Sequence, residues 1–474
     1  MTRLLTLFFF LMCWSASFAQ DADIKILAIN DMHSSVQNMP KLAFIVDSIR
    51  AEHPDVLLFA AGDNRTGNPI NDMYTEPNLP MVEMMNAVGF NLSSMGNHEC
   101  DGGIESFANT INKSYCTYLA ANAQPADSLR LHFQPFKLFE HKGVRIGVIG
   151  LVQTNSTGIP DGHPDKLKGI SFTTPYAAAD KYAWLRKQCD VYVGLTHMGL
   201  EADTLFADAH PEFDLIVCAH SHDLVPGLVR NGVMLVQAER NLKYINDVDL
   251  KIREGKIVDR KCKTISIAHA TGVSQKVKAM LDKFSDNPTL QRLIATATTP
   301  FVEKEELGCL MADGQRDIAK ADISIVNAGG VRYTEKEAGD ITVNDILRLD
   351  PFGNELMVAE MTGEQIVEAL EQVPATDEYG PAYVSGLKYT VSMDKNKKYQ
   401  VKLFTEDGKK FNLKKTYKVA ANNYVCSTVP VLASVELTPL YITPSDALIK
   451  YLENKKSVSY QGVSRVTIKG VSHR

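Results

Sequence analysis

Met95-Gly96-Asn97-His98-Glu99-Cys100-Asp101 is the stretch on which both fold and chemistry turn. It follows Phe90-Asn91-Leu92-Ser93-Ser94, which reads as extended, so an amide oxygen, an imidazole and carboxylates crowd the point where a strand ends. A metal site with an adjacent acid or base needs that donor set. The four residues Gly96-Asn97-His98-Glu99 would also suit a capped turn, so the reading depends on partner ligands elsewhere.

Working outward, residues 24–29 read as a strand, and Leu42, Ile45, Val46 and Ile49 then recur at helical spacing. Further apolar runs lie at 56–60, 144–151, 191–195, 215–219 and 233–237, several separated by helix-length segments. This is the pattern of a layered α/β domain. Polar residues follow the runs: Asp31-Met32-His33, Gly62-Asp63-Asn64, Asn97-His98-Glu99, Thr196-His197 and Ala219-His220-Ser221-His222. Ligands in layered α/β proteins gather at the carboxyl ends of strands, so five strand ends aim at one place.

The side chains expected there are Asp31, His33, Asp63, Asn97, His197, His220 and His222, with His98 beside them. Carboxylate, amide and imidazole without thiolate suit two borderline-hard divalent cations such as Zn, Mn or Co. A carboxylate such as Asp63 can bridge two ions, and a pair about 3.5 to 4 Å apart clamps both the attacking and the leaving oxygen of a phosphoryl displacement. Singly, Asp31-x-His33 reads as a turn, Asp63 as a helix cap and His197 as a core histidine. Their coincidence at successive strand ends favours the metal reading.

Arg3 precedes the apolar run 4–12, and Ser17-Phe18-Ala19 supplies small residues ahead of Gln20, the pattern of a secretory signal. The run is too short to span a bilayer. Residues 1–19 are expected to be removed on export, leaving a periplasmic or extracellular protein with no transmembrane segment. Loss of Arg3 moves the net charge from -6 to -7, and a mildly acidic chain without a dense basic tract argues against polymeric nucleic acid as partner. A small substrate is expected instead. Of eight cysteines, Cys13 leaves with the signal; the remaining seven are scattered and do not read as a disulfide framework. Cys189, Cys218 and Cys309 read as small buried hydrophobes.

At 474 residues, two domains are the natural division. Residues 20–265 form the first. Over 266–299, Val277, Met280, Leu281 and Phe284 recur at helical spacing, Pro288 interrupts, and Leu290, Leu293 and Ile294 resume before Pro300. This is either a helical connector or a surface helix of one domain. A second α/β domain spans 300–474. Thr362-Gly363-Glu364-Gln365 has capping-box spacing, and Ile366, Ala369, Leu370 and Val373 give the following helix an apolar face. Residues 388–393, 399–404 and 417–421 read as strands joined by polar turns. Asn327-Ala328-Gly329-Gly330-Val331-Arg332 offers backbone donors and a guanidinium suited to an anion. Phe352 and Tyr424 each sit beside turn residues and read either as core aromatics or as a clamp on a base, worth about 1 to 3 kcal/mol per stacking contact.

D-x-H, G-D-N, G-N-H-E with Asp101 following, T-H and a-H-x-H, in this order, resemble the calcineurin-like metallophosphoesterases, specifically the secreted 5'-nucleotidase group. N-x-G-G-x-R, P-F-G-N and V-S-G-L around Gly386 resemble its C-terminal nucleotide-recognition domain. The resemblance implies a four-layer α/β/β/α metallophosphoesterase domain followed by an α/β recognition domain. It places one metal on Asp31, His33, Asp63 and His222 and the other on Asp63, Asn97, His197 and His220. His98, held by Asp101, would stabilise the transition state or leaving group, and Glu99 would be structural. Arg332 would meet the phosphate side, Asn327 the base or ribose, Phe352 and Tyr424 the faces of the base, and Gly386 would also lie at the substrate.

Two departures stand out. Ala219 replaces the glycine usual before the paired histidines, a slight change. Where the family carries G-G-D-G after the second aromatic, its aspartate holding the ribose hydroxyls, this chain has Val425-Cys426-Ser427-Thr428-Val429-Pro430. The expected function is hydrolysis of nucleoside 5'-monophosphates or related small phosphoesters. Cyclic nucleotides, nucleotide sugars or sulfur esters are the alternatives within the fold, and a non-catalytic surface binding protein is the alternative outside enzymes.

Overall fold

The computed structural model describes residues 21–376, 380–395 and 398–469; the signal segment expected at 1–19 lies outside them. In the first half two six-stranded sheets lie face to face. Alternation along the strands makes this packing. In Ala22–Ile29, Ile24, Ile26 and Ala28 share an interior with Ile146 and Val148 of Val144–Val152, Val193 and Leu195 of Val191–His197, and Leu215 and Val217 of Leu215–Val217. Leu27 and Ile29 turn the other way, into a core with helices Met39–Glu52 and Leu79–Val88. Beyond the second sheet, Ile149, Leu151, Tyr192 and Ile216 pack with helices Pro175–Tyr182 and Leu200–Ala209. The layers therefore run α/β/β/α.

Strand direction, rather than layer order, positions the site. Ala22–Ile29, Leu57–Ala60 and Leu92–Ser94 are parallel neighbours in one sheet. Val144–Val152, Val191–His197 and Leu215–Val217 are parallel neighbours in the other. All six carboxyl ends thus reach a common edge, where loop residues can converge.

The connector expected over 266–299 is divided between the two domains. Helix Gln275–Ser285 buries Val277 and Phe284 in the core of the first domain. Leu293 and Ile294, which the spacing placed in a helix, lie instead in strand Leu293–Ala297, paired with Gly339–Thr342 and Ser457–Val458 of the second domain. Short apolar pairs satisfy a half-buried strand as well as a helix, which is why periodicity misplaced them.

The second domain centres on a sheet ordered Tyr383–Ser385, Ile323–Val326, Thr416–Asn422, Leu356–Thr362 and Thr438–Pro439. The capping box at Thr362 is realised: Thr362 N donates to Gln365 Oε1 at 2.8 Å and Gln365 N to Thr362 Oγ1 at 3.2 Å. Ile323–Val326 and Thr416–Asn422 are parallel, so Asn327 and Asn423 leave the sheet on the same side. The seven cysteines among the described residues are free thiols, all but Cys262 buried. No helix among the described residues is long and apolar enough to cross a membrane.

One ion pair ties the residue before strand Val466–Lys469 to helix Lys304–Ala319. Arg465 donates to both carboxylate oxygens of Asp313, at 2.7 and 2.9 Å, and Asp313 also accepts from Ser385 Oγ and Tyr460 Oη. Removing one partner of a largely buried pair leaves the other charge uncompensated, at a cost of about 3 to 5 kcal/mol. Arg465→Met should therefore lower the unfolding free energy of the second domain by roughly that amount in denaturant titration. Adding Asp313→Leu should recover most of the loss.

Candidate metal centre and substrate cleft

The seven expected ligands meet at the common strand edge. Asp31 and His33 follow Ala22–Ile29, Asp63 follows Leu57–Ala60, Asn97 follows Leu92–Ser94, His197 closes Val191–His197, and His220 and His222 follow Leu215–Val217. All except the half-buried His222 are buried. Asp31, His33, Asp63, His220 and His222 hold φ between +45° and +80°. That conformation costs a residue with a side chain about 1 to 2 kcal/mol, and it is kept where a side chain must be aimed inward. Gly96 makes room: a Cβ there would lie 2.2 Å from Asp63 Oδ1 and 2.6 Å from Asp63 N.

The donor atoms crowd closely. His33 Nε2 and His222 Nε2 are 3.1 Å apart, and Asn97 Oδ1 lies 3.1 Å from His197 Nε2 and 3.0 Å from His220 Nδ1. Asp63 Oδ2 stands between the groups, 3.1 Å from His197 Nε2 and 4.0 Å from His33 Nε2. Ligand atoms of Asp31, His33 and His222 lie within 4.8 Å of one another, as do those of Asp31, Asp63 and His197, and of His33, Asp63 and His98. Two ring nitrogens facing at 3.1 Å need a proton or a cation between them. The residues therefore fit divalent cations, with Asp63 placed to bridge.

Neighbouring groups orient the rings. His33 Nδ1 is 3.0 Å from the Thr66 carbonyl and His197 Nδ1 is 2.8 Å from the Ala61 carbonyl. A carbonyl only accepts, so each Nδ1 carries a proton and each Nε2 is the nitrogen turned to the centre. Burial, reinforced by the Arg332 guanidinium, holds His33 well below its usual pKa, which suits a neutral ligand. Burial also opposes charge on His197, but Asp63 and Asp31 overcome it and push that ring up to about 10.

His98 is arranged differently. Its Nδ1 lies 2.7 Å from Asp101 Oδ2, which also accepts from Thr66 Oγ1 at 2.8 Å. Its backbone N–H donates to Asp63 Oδ1 at 2.9 Å, while Nε2 is 3.9 Å from Asp63 Oδ2. Burial disfavours protonation here too, yet Asp101 and Asp63 raise the pKa. The ring forms part of a cleft of about 320 Å³ between the two domains.

The opposite wall carries Asn327, Arg332, Phe352 and Tyr424. Phe352 stacks on His98 with centroids 5.8 Å apart and planes at 29°. Arg332 lies over the Phe352 ring at 5.4 Å and reaches within 3.4 Å of His33 Nδ1. Gly386, expected at the substrate, does not line the cleft. It has φ +85°, and a Cβ there would lie 2.1 Å from the Asp322 carbonyl, so the glycine answers a backbone need at the end of Tyr383–Ser385. The missing ribose motif also has a local explanation. Asn422 Oδ1 accepts from Val425 N at 2.8 Å and caps helix Asn423–Thr428, which buries Val425 and Cys426.

Sequence reasoning missed part of the cleft: Asp161, His163 and Lys166 on one side, Asn354, Glu355 and Asn423 beside the aromatics. The first three lie in the loop after Val144–Val152. The carboxyl-end rule that found the other loops pointed here as well, and Asn155, Asp161, His163 and Asp165 were its signal.

Comparison with known proteins agrees with this architecture. Residues 24–224 match the calcineurin-like phosphoesterase model, and residues 285–429 match the model of the 5'-nucleotidase C-terminal domain. The chain is 27% identical to protein UshA of Yersinia enterocolitica, over 93% of each chain. It is 28% identical to a 5'-nucleotidase of Vibrio cholerae, over 85% of this chain and 84% of the relative. The crystal structure of a 5'-nucleotidase precursor from Thermus thermophilus superposes with a TM-score of 0.85 at 23% identity, covering 95% of this chain and all of that one.

Two outcomes follow for the centre. Asp63→Ala should lose both ions, whereas His33→Ala should weaken one, as read by metal content per chain. Because Asp63 and Asp31 favour the protonated His197 ring when no metal is bound, metal must displace that proton. Loading should release protons and its apparent affinity should rise with pH across the neutral range, measurable by calorimetry in buffers of differing ionisation enthalpy.

Proposed function

Because the chain belongs to the 5'-nucleotidase family of calcineurin-like metallophosphoesterases and carries that family's C-terminal domain, we propose that it hydrolyses the phosphomonoester of nucleoside 5'-monophosphates in the cleft between its two domains. The observation that carries this reading is the meeting of two unlike walls in one cleft. Metal-ligand types and His98 stand on one side, and a guanidinium with two aromatics stands on the other.

Asp31, His33, Asp63 and His222 would hold one cation, and Asp63, Asn97, His197 and His220 the other. When bound, such a pair supplies Lewis acidity and lowers the pKa of a coordinated water from about 15.7 toward about 7. Arg332 donates to the phosphate oxygens and offsets their charge. His98, its Nδ1 proton directed to Asp101, presents Nε2 to the leaving oxygen and gives it a proton as the ester bond breaks. Phe352 and Tyr424 take the base between them, and Asn327 donates or accepts at its edge. The N-terminal signal pattern supports export, to the periplasm or outside the cell.

Phosphate release from a panel of nucleotides, sugar phosphates and cyclic nucleotides, with Mn²⁺, Zn²⁺ or Co²⁺ added, tests the reading directly. Nucleoside 5'-monophosphates should lead, and absence of turnover on every nucleotide would overturn it. His98→Asn should keep its metals and lower kcat by about 10²- to 10⁴-fold, with much less loss for p-nitrophenyl phosphate, whose leaving group needs no proton. With helix Asn423–Thr428 where the ribose motif would be, ribonucleotide and 2'-deoxynucleotide should agree in kcat/KM within about tenfold. Phe352→Ala should cost more than the sugar change.

A further inference from the structure

The loop that leaves Val144–Val152 crosses the metal centre, and one residue in it touches two expected ligands of the same cation through two different groups. The backbone carbonyl of Asp161 accepts from Asn97 Nδ2 at 2.9 Å. With the amide nitrogen committed there, Asn97 presents Oδ1 to His197 and His220. The Asp161 carboxylate has a second task. Its Oδ2 lies 3.7 Å from His220 Nε2, and its Oδ1 accepts from Asn155 Nδ2 at 3.0 Å, so the carboxylate is itself aimed.

His220 directs Nδ1 toward Asn97 Oδ1, at 3.0 Å, which makes Nε2 the nitrogen that carries the proton when Nδ1 binds metal. At 3.7 Å the carboxylate is within ion-pair reach of that nitrogen, and its charge favours the proton on Nε2 and makes the ring a stronger donor at Nδ1. At the other site His33 faces a neutral backbone carbonyl, and His222 Nδ1 lies 3.5 Å from the Arg240 guanidinium. The two cation sites thus differ in a specific way: one has a ligand ring backed by a negative charge supplied from a loop that also lines the cleft.

We propose that Asp161 is a positioning residue that sets the affinity of the Asn97, His197 and His220 site, an inference that rests on the two-metal reading above. Losing a partner of this kind costs about 10- to 100-fold in metal affinity. Asp161→Asn keeps the side-chain size and the backbone carbonyl and removes the charge. Asn155→Ala keeps the charge and releases its aim.

The test is Mn²⁺ binding to the full chain, counted by electron paramagnetic resonance, with no substrate present. Wild type should take two equivalents. Asp161→Asn should hold one unchanged and bind the other about 10- to 100-fold more weakly, and Asn155→Ala should fall between. Both affinities remaining within about twofold of wild type, or both falling equally, would overturn the proposal. So would a metal-free Asp161→Asn protein that melts well below metal-free wild type, since the loop would then act on general stability. A wild type that binds two ions yet releases no phosphate sinks the substrate reading and leaves this inference standing; fewer than two ions in wild type sinks both.

Discussion

Glu99 makes no catalytic contact, yet the centre depends on it. Its Oε2 accepts from Gly96 N at 2.6 Å and Asp63 N at 3.1 Å, and its Oε1 accepts from Asn64 N at 2.9 Å. One buried carboxylate thereby locks the loop after Leu57–Ala60 to the loop after Leu92–Ser94. Those loops deliver Asp63, Asn97 and His98. Gly96 is the sterically matched half of the arrangement, because any Cβ would strike Asp63. Burial and the nearby Asp63 push Glu99 up to about 7, while the N–H groups of Asn64 and Gly96 oppose the rise. Cations beside Asp63 would offset its charge and favour the ionised Glu99 that the three N–H groups require.

The second domain places a guanidinium beside the expected metal ligands. Arg332 stands 3.4 Å from His33 and helps depress that ring's pKa. A guanidinium beside an intended cation site is repulsive in isolation. A phosphate placed between them reverses the sign of the interaction, since each positive group then faces an anion. Arg332 thus gives this wall of a cleft otherwise rich in carboxylates a place for an anion. Stacking of Phe352 on His98 and the position of Arg332 over the same ring keep the two walls in register.

Legibility in the sequence varied with the physics involved. Strands such as Ala22–Ile29 and Val191–His197 were readable because buried parallel strands are nearly continuous apolar runs. The ligand types were readable because the carboxyl-end rule turns a topology into a place. The αL backbone at Asp31, His33, Asp63, His220 and His222 was not, since nothing in these residue types demands it. Leu293 and Ile294 were assigned to a helix because two apolar neighbours carry no period. Gly386 was assigned to substrate by motif, although its backbone conformation accounts for the glycine. The carboxyl-end rule points to the loop that holds Asp161, but the sequence does not single this residue out, since half of its contact is made by a main-chain carbonyl, which every residue has.

Catalysis and recognition are separable in this architecture, and that bears on what the altered ribose region means. The expected metal ligands and His98 come from loops at the carboxyl ends of parallel strands in two mixed sheets, tied in part by Glu99, whereas Arg332, Phe352 and Tyr424 come from the second domain. Helix Asn423–Thr428 turns Val425 and Cys426 into the core of the second domain, while Asn423 and Tyr424 at its start line the cleft. Base stacking is tolerant, because every base has a π-face and each contact is worth about 1 to 3 kcal/mol. A site that keeps the phosphate machinery and relies on stacking should therefore be broad in its sugars.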